Sequence, residues 1–435
     1  MGDFGRTRGD IAKSICKDQD ELRLVSAMYP MQPSGLLHAL LETAISSGIR
    51  VTLYASDLTG HFDFIDDQWI ADKAFKLVTI GGRVSRRVEA FADSIPCSLF
   101  EICRRIDDGT IEVDVFLALT STADEDGIFS FGPSIAYSEV AARRATTIAL
   151  ELSTDVLSVS GCSGLHMNDV AFTTEIKSVP VPELRLPTIT DTAASIGELI
   201  AGLIPNGATL QLGIGSIPEA FLHGLRDHKG LGIHSGAIPE GAIALIESGV
   251  ITGANKVSHK DKQVTTSLLG TRTLYEYAHR VESGIEIQPV GVTHAPNMLA
   301  SIPNLFAVNS ALEVDLSGQV NAEVLDGRRV SSPGGQVDFM HAAHGSDGGA
   351  SILAIPSTSD GHSRIVRRLS PPYRVTTHGN YVDYVVTEFG IADLRGKSGE
   401  ERKTMLIDIA HPTTRIGLRD AILEGTGEGG KDNDE

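Results

Sequence analysis

Cysteine is scarce and unpaired in this sequence. The four residues Cys16, Cys97, Cys103 and Cys162 contain no CxxC pair, which argues against a disulfide framework or a zinc cage and fits a reducing compartment. No run of about eighteen apolar residues occurs, so no membrane-spanning helix is expected. The opening "MGDFGRTRGDIAKSICKDQDE" has no apolar stretch of the signal-peptide kind, and "MGDFGR" lacks the Ser or Thr of a myristoylation site. A cytoplasmic location is therefore expected. Basic residues are in deficit, 37 Lys and Arg against 56 Asp and Glu, for a net charge of −19. Without a basic stripe to offset it, that balance argues against nucleic-acid or anionic-membrane partners. A small anionic substrate is still allowed, since it needs only a local basic or N–H-rich site.

The 435 residues are enough for two to three domains, and 41% apolar with 21% charged residues is ordinary for a globular chain. Helical stretches such as "SGLLHALLETAISSG" alternate with apolar strand-like runs such as "VTLYAS" and "VDVFLALT". The proline-rich "KSVPVPELRLPTITDT" (177–192) reads as a linker. Beyond it the alternation resumes with "AASIGELIAGLI", "ATLQLGIG", "PEAFLHGLRDH" and "LGIHS". Strands separated by single helices imply βαβ units and mostly parallel sheets. The expected division is 1–185, 186–425 and an acidic, solvated tail at 426–435. A loop–helix–glycine–strand pattern recurs in "SGLLHALLETAISSGIRVTLYASD" and "GSIPEAFLHGLRDHKGLGIHSG", a weak echo of internal duplication.

Glycine-rich turns carry most of the chemical signal. "LQLGIGSIPEAF" (210–221) is a strand, a Gly213-Ile-Gly215 turn and a helix with Pro218 in its first turn. The free N–H groups of such a helix start suit an anion, although GxG is neither GxGxxG nor a phosphate-binding GxxxxGK[ST] loop. "SSPGGQVDFM" (331–340) is a second glycine turn opening a helix, and its adjacent glycines permit close backbone approach. Each, taken singly, also reads as a tight turn without a ligand. A third element, "LGIHSGAIPEGAIALIESG", reads as strand, turn centred on Gly236, then helix. The strand-end turn is where an open α/β sheet mounts reactive groups, yet this one offers only Ser235 and Gly236.

Two further blocks, "NSALEVDLSGQVNAE" (309–323) and "VDYVVTEFGIADLRGKSGEERKTMLIDIAHPTTR" (382–415), join "GGQVDF" and the first-half "VDVFLALTSTADEDGIFSFGPS". Together they resemble the acetyl-CoA hydrolase/transferase family, which includes 4-hydroxybutyrate and succinyl-CoA:acetate CoA-transferases, from about residue 30 to 420. The resemblance implies an α/β fold of two CoA-transferase-type (NagB/RpiA-like), open, mostly parallel-sheet domains with the site in the cleft between them. It implies a coenzyme A thioester as substrate, no metal, a small acyl acceptor and a homodimer.

In that family a glutamate attacks the acyl-CoA and forms a glutamyl-CoA thioester. Matching "LGIHSGAIPEG" in register puts Gly236 at its position. The family's lysine after "PST" is matched by Asp360, four residues before Arg364; the departure leaves open an acyl carrier protein in place of CoA. Gly213, Ile214, Gly215, Ser216 and Ile217 match the CoA-contacting loop. Leu312, Gly334 and Gly335 match positions near the thioester, where backbone N–H groups stabilise an oxyanion. Candidates to replace the glutamate are Asp57, at the end of "VTLYAS", then Asp63, then Glu240, which also reads as the N-terminal acid of its helix. His234 and His61 are acid–base candidates. His341 and His344 have i,i+3 spacing but no third ligand. Met31, where the family has glycine, is expected to narrow the pocket. Three readings stay open: a CoA-transferase or acyl-CoA hydrolase with an atypical catalytic group, an acyltransferase using another thioester with an amine or alcohol acceptor, and a catalytically silent acyl-CoA-binding protein.

Overall fold

Two parallel sheets of the same winding make up the protein. The computed structural model describes residues 5–71, 73–176, 180–369 and 374–425; the acidic tail and the start of the proline-rich linker lie outside them. The first sheet consists of β1 (Glu21–Ser26), β2 (Arg50–Asp57), β3 (Phe75–Gly82), β4 (Asp93–Ser94), β5 (Val115–Thr120), β6 (Thr147–Ser153) and β7 (Phe172–Ile176). The second consists of β8 (Thr209–Gln211), β9 (Gly232–Pro239), β10 (Gln263–Leu269), β11 (Ile285–Ile287), β12 (Leu305–Ser310), β13 (Ala350–Ala354), β14 (Tyr384–Thr387) and β15 (Gly390–Asp393).

Their orders are β4-β3-β2-β1-β5-β6-β7 and β11-β10-β9-β8-β12-β13-β14-β15. Counted within each sheet, both run 4-3-2-1-5-6-7, with an eighth strand added to the edge of the second, so the weak sequence echo is repeated in the topology. The pairs are parallel except the terminal β14–β15 hairpin. In each sheet the winding reverses beside the first strand, and open α/β sheets bind ligands at the carboxyl ends of the strands beside such a reversal.

Local sequence explains the elements. The run "VFLALT" of β5 is buried at every residue, as a strand covered on both faces requires. Helix α1 (Ser34–Ser46) buries Leu36, Leu37, Leu40, Leu41 and Ala44, one apolar stripe laid on the sheet. Helices α3 (Asp191–Ala201) and α4 (Ser216–Gly224) meet through glycines; a Cβ on Gly197 would lie 2.6 Å from the Ala220 carbonyl carbon. Helix α2 (Leu99–Asp107) follows β4, α5 (Ala242–Glu247) follows β9, α6 (Val290–Thr293) follows β11 and α7 (Gln336–Gly345) precedes β13.

The sheets share one apolar core cluster, running from Phe116 and Leu150 to Leu210, Ile238 and Val308. Backbone bonds also join them: Val84 N–H donates to Val330 O (3.0 Å), Ser332 N–H to Gly82 O (3.1 Å), Leu99 N–H to Gly334 O (2.8 Å) and Ile135 N–H to Thr266 O (3.1 Å). The loop 330–335 thus lies against the carboxyl edge of the first sheet while its helix packs on the second.

Candidate active site

The Gly213–Ile217 loop leaves β8 at the switch point of the second sheet. Gly215 has φ +116 and caps α4, and nothing lies within 4 Å of a Cβ built on it. A helix start of this kind leaves its first N–H groups without partners inside the helix, the feature that suits an anion. Ile214 is 36% exposed, while Ile217 is buried. The loop is fixed by Ser235 of the neighbouring strand: its hydroxyl accepts from Leu212 N–H (3.0 Å) and donates to Leu212 O (3.1 Å).

Gly236 does not lie in a turn. Strand β9 runs on through it to Pro239, with Ser235 opposite Thr265 and Ala237 opposite Ser267 in an unbroken register. The polar "HSG" and two nearby glycines mimic a turn, but the ladder with β10 holds the segment extended. The helix begins only at Ala242. Gly236 and Ala237 are half-buried, unlike the sealed residues before them.

The side-chain direction of Gly236 is occupied. A Cβ there would stand 3.0 Å from His294 Nε2, 3.1 Å from its Cε1 and 3.8 Å from Phe339 Cε2. A Cβ on Gly335 would stand 2.5 Å from the same Nε2. The His294 ring, at the end of α6, is therefore held between two glycines from different elements. Its edge meets Phe339, with centroids 4.8 Å apart at 67°. Nδ1 lies 2.8 Å from the Thr293 hydroxyl, and Nε2, although buried, has no hydrogen-bond partner. Burial pushes this imidazole down to about 3, so it is neutral at physiological pH. Nothing in "GVTHAPN" marks His294 in the sequence; only the packing of α6 under β9 brings it here.

The second glycine loop meets the first sheet. Gly334 has φ +59, and its carbonyl accepts Leu99 N–H at the start of α2. Ser98 O–H donates to Asp338 Oδ1 (2.6 Å) and Phe100 N–H to Oδ2 (3.3 Å), so two helix starts abut. Burial pushes the Asp338 carboxyl up to about 6. Leu312 spends its N–H on Asn321 O (2.8 Å), so that group does not point at a ligand as the sequence suggested.

The carboxylates singled out in the sequence are already engaged. Asp57 ends β2 and accepts from Thr59 N–H (2.7 Å), Thr59 O–H (2.7 Å), Gly60 N–H (3.3 Å) and Phe62 N–H (3.1 Å). Glu240 accepts from Thr271 N–H (2.8 Å) and O–H (2.6 Å), binding the loop after β10 rather than the start of its own helix. Asp63 and His61 are exposed on the loop after β2.

His234 is fully buried, donates from Nε2 to Thr293 O (3.0 Å) and is held neutral, pushed down to about 3 by burial and by Lys256. His344 bonds Asp383 (2.8 Å), and both His344 and His341 lie against the Tyr381 ring, with centroids 5.8 Å and 4.3 Å away. Among the described residues no group of three or more His, Cys, Asp and Glu side chains is placed to hold a metal, and no helix is long and apolar enough to cross a membrane.

Two expectations need correction. Met31 is fully buried, with its methyl near Gly132, and fills core rather than pocket. Asp360, with φ +50, and Gly361, with φ +79, form the two-residue turn of the Thr358–Ser359/His362–Ser363 hairpin. An Asp-Gly pair is favoured there by turn geometry alone.

Known proteins agree with this architecture. Residues 270–422 match the acetyl-CoA hydrolase/transferase C-terminal domain. The chain is 36% identical over 409 residues to the 4-hydroxybutyrate coenzyme A transferase of Clostridium kluyveri, covering 93% of this chain and 95% of that one. It is also 36% identical to a succinyl-CoA:cyclohexane-1-carboxylate CoA transferase of Geobacter metallireducens, over 77% and 76% of the two chains. Among solved structures, RipA from Yersinia pestis superposes with a TM-score of 0.87 at 29% identity, over 97% of both chains. A 4-hydroxybutyrate CoA-transferase from Porphyromonas gingivalis gives 0.78 at 30%, again over 97% of both. With its doubled 4-3-2-1-5-6-7 winding and glycine loops at the strand ends, the chain belongs to the acetyl-CoA hydrolase/transferase family and is an enzyme of the CoA-transferase and acyl-CoA hydrolase type.

Proposed function

We propose that the protein binds an acyl-CoA along the Gly213–Ile217 loop and Gly334–Gly335, and releases the acyl group without a glutamyl thioester at residue 236. The observation that carries this reading is the glycine in β9, whose side-chain direction is filled by His294. No carboxylate can be mounted there unless the ring moves. The helix start at Ser216 suits the CoA phosphates, and the exposed Ile214 offers an apolar contact beside it.

Asp57, Glu240 and His234 are read as supports of this site. Asp57 holds its loop through four accepted hydrogen bonds and Glu240 ties in Thr271 through two, so both carboxylates have a structural task. The carrier-protein reading rests on Asp360, and the hairpin turn gives that residue a local reason to be acidic. A homodimer fits the family and is checked by light scattering at micromolar concentration.

The test is turnover on the unmodified protein. Acetyl-, butyryl- and 4-hydroxybutyryl-CoA are supplied with and without acetate, and the digested protein is searched for a carboxylate-linked adduct. Turnover without an adduct supports the reading. An adduct on Asp57 or Glu240, or no binding of any acyl-CoA, defeats it.

A further inference from the structure

Strands β8 and β9 pair in parallel, with Thr209 opposite Gly232 and Leu210 opposite Ile233. Strand β8 ends at Gln211, where the chain leaves for the Gly213–Ile217 loop. At that point a side chain takes over from the backbone ladder. The Ser235 hydroxyl donates to Leu212 O (3.1 Å) and accepts from Leu212 N–H (3.0 Å) and Ala237 N–H (3.3 Å). A hydroxyl has one proton and two lone pairs, so its bonding capacity is fully used. Ser235 is itself fully buried and fixed opposite Thr265 of β10. Without the hydroxyl, Leu212 N–H loses this partner inside the protein, a costly change for a buried donor.

The far end of the loop is tied to the continuation of the same strand. Glu219 lies in the first turn of α4 and is buried. Its carboxylate accepts from the N–H of Gly241, two residues beyond the end of β9. A Cβ on Gly241 would run into Glu219 Oε2. Its φ is −59, so close approach rather than backbone strain is the reason for glycine there. Between the two anchors lie Gly213, Ile214, Gly215 and Ser216, all half-buried or exposed. Two glycines make such a stretch loose by itself, yet both its ends are held by the segment 235–241 that carries Gly236.

We propose that Ser235 and Glu219 are positioning residues for the acyl-CoA, latching the two ends of the loop onto β9 so that the helix start is in place before the ligand arrives. The inference rests on the acyl-CoA reading above and adds that the order of the loop is built into the protein. A loop ordered in advance loses less freedom on binding, and affinity rises accordingly. Both side chains act through the backbone they hold, a task that burial favours. The same latches keep the phosphate-binding helix start at a fixed distance from Gly236.

The test is calorimetric binding to the full chain of butyryl-CoA and of S-butyryl-pantetheine, which carries the same thioester without the phosphates. Ser235→Ala is expected to weaken butyryl-CoA about tenfold and to leave S-butyryl-pantetheine within about twofold. In turnover the change falls on KM, with kcat little altered. Glu219→Ala gives the same selective loss. Glu219→Gln restores binding, because its amide oxygen accepts the same N–H.

Should Ser235→Ala not fold, the two Glu219 variants decide the matter. Butyryl-CoA binding within about twofold of the unmodified protein in the alanine variants, an equal loss of both ligands, or a Glu219→Gln protein as weak as Glu219→Ala overturns the inference alone and leaves the acyl-CoA reading standing. Failure of the unmodified protein to bind butyryl-CoA overturns both.

Discussion

Adding one methyl group to Gly236 tests the structural basis of the site without touching any reactive atom. Two opposing effects set the size. The backbone of Gly236 is extended with φ in the ordinary range, so alanine fits the strand and gains about 0.4–1 kcal/mol by restricting the unfolded chain. Against that, the new Cβ meets His294 Nε2 at 3.0 Å and Cε1 at 3.1 Å, and the ring is backed by Phe339 at 4.8 Å. Overpacking of this kind costs about 1–3 kcal/mol.

The net expectation is a loss of about 1 kcal/mol, a fall of roughly 1 °C in the melting midpoint for a chain of this size. In a His294→Ala background the obstruction is gone and only the gain is left. Gly236→Ala should there be neutral or stabilising, giving a coupling of about 1–3 kcal/mol between the two sites. Urea unfolding of the four proteins in the cycle measures it. Stabilisation by Gly236→Ala with His294 present, or an equal shift in both backgrounds, would refute the claim that the ring fills that space.

Three further outcomes are expected. Gly82→Ala should cost about 3 kcal/mol or more, since φ is +77 and the Cβ would sit 2.3 Å from the Asp57 carbonyl oxygen; a thermal melt unchanged by the substitution would contradict this. Asp57→Ala should cost about 2–4 kcal/mol by orphaning the N–H groups of Thr59, Gly60 and Phe62, whereas Asp57→Asn should keep acyl-CoA turnover within about tenfold if the residue is a support; abolished turnover in a well-folded Asp57→Asn protein would make it a reactant. Asp338, pushed up to about 6, holds its proton more tightly in the fold than in the open chain. Its stabilising contribution is present below the ordinary carboxylate range and lost as pH rises through about 6. Asp338→Asn should therefore gain in melting temperature relative to the unmodified protein between pH 4 and 7, and a difference that stays constant or shrinks would count against it.

Much of the architecture was written in local patterns. The alternation of "SGLLHALLETAISSG" with "VTLYAS", and of "PEAFLHGLRDH" with "LGIH", signals helix and buried parallel strand, because a stripe at helical spacing and short apolar runs between single helices fit a parallel sheet covered by helices. The glycine loops at 213–215 and 334–335 and the early Pro218 were legible for the same reason: a backbone that must turn sharply into a helix admits few residue types. That residue 236 is a glycine is read directly in the chain.

What surrounds that glycine could not be. That β9 continues past Gly236 is decided by its ladder with β10, a partner thirty residues away in register. That Glu240 serves Thr271, that Leu312 has no N–H to spare and that Met31 fills core follow from which elements lie side by side. His294 is the clearest case. Its neighbours in sequence give it no special character. Its surroundings come from burial, which keeps it neutral, from the Thr293 hydroxyl beside Nδ1, and from two glycines of separate elements that leave room for one ring. Distances between residues far apart in the chain set all three, and those exist only once the two sheets have packed.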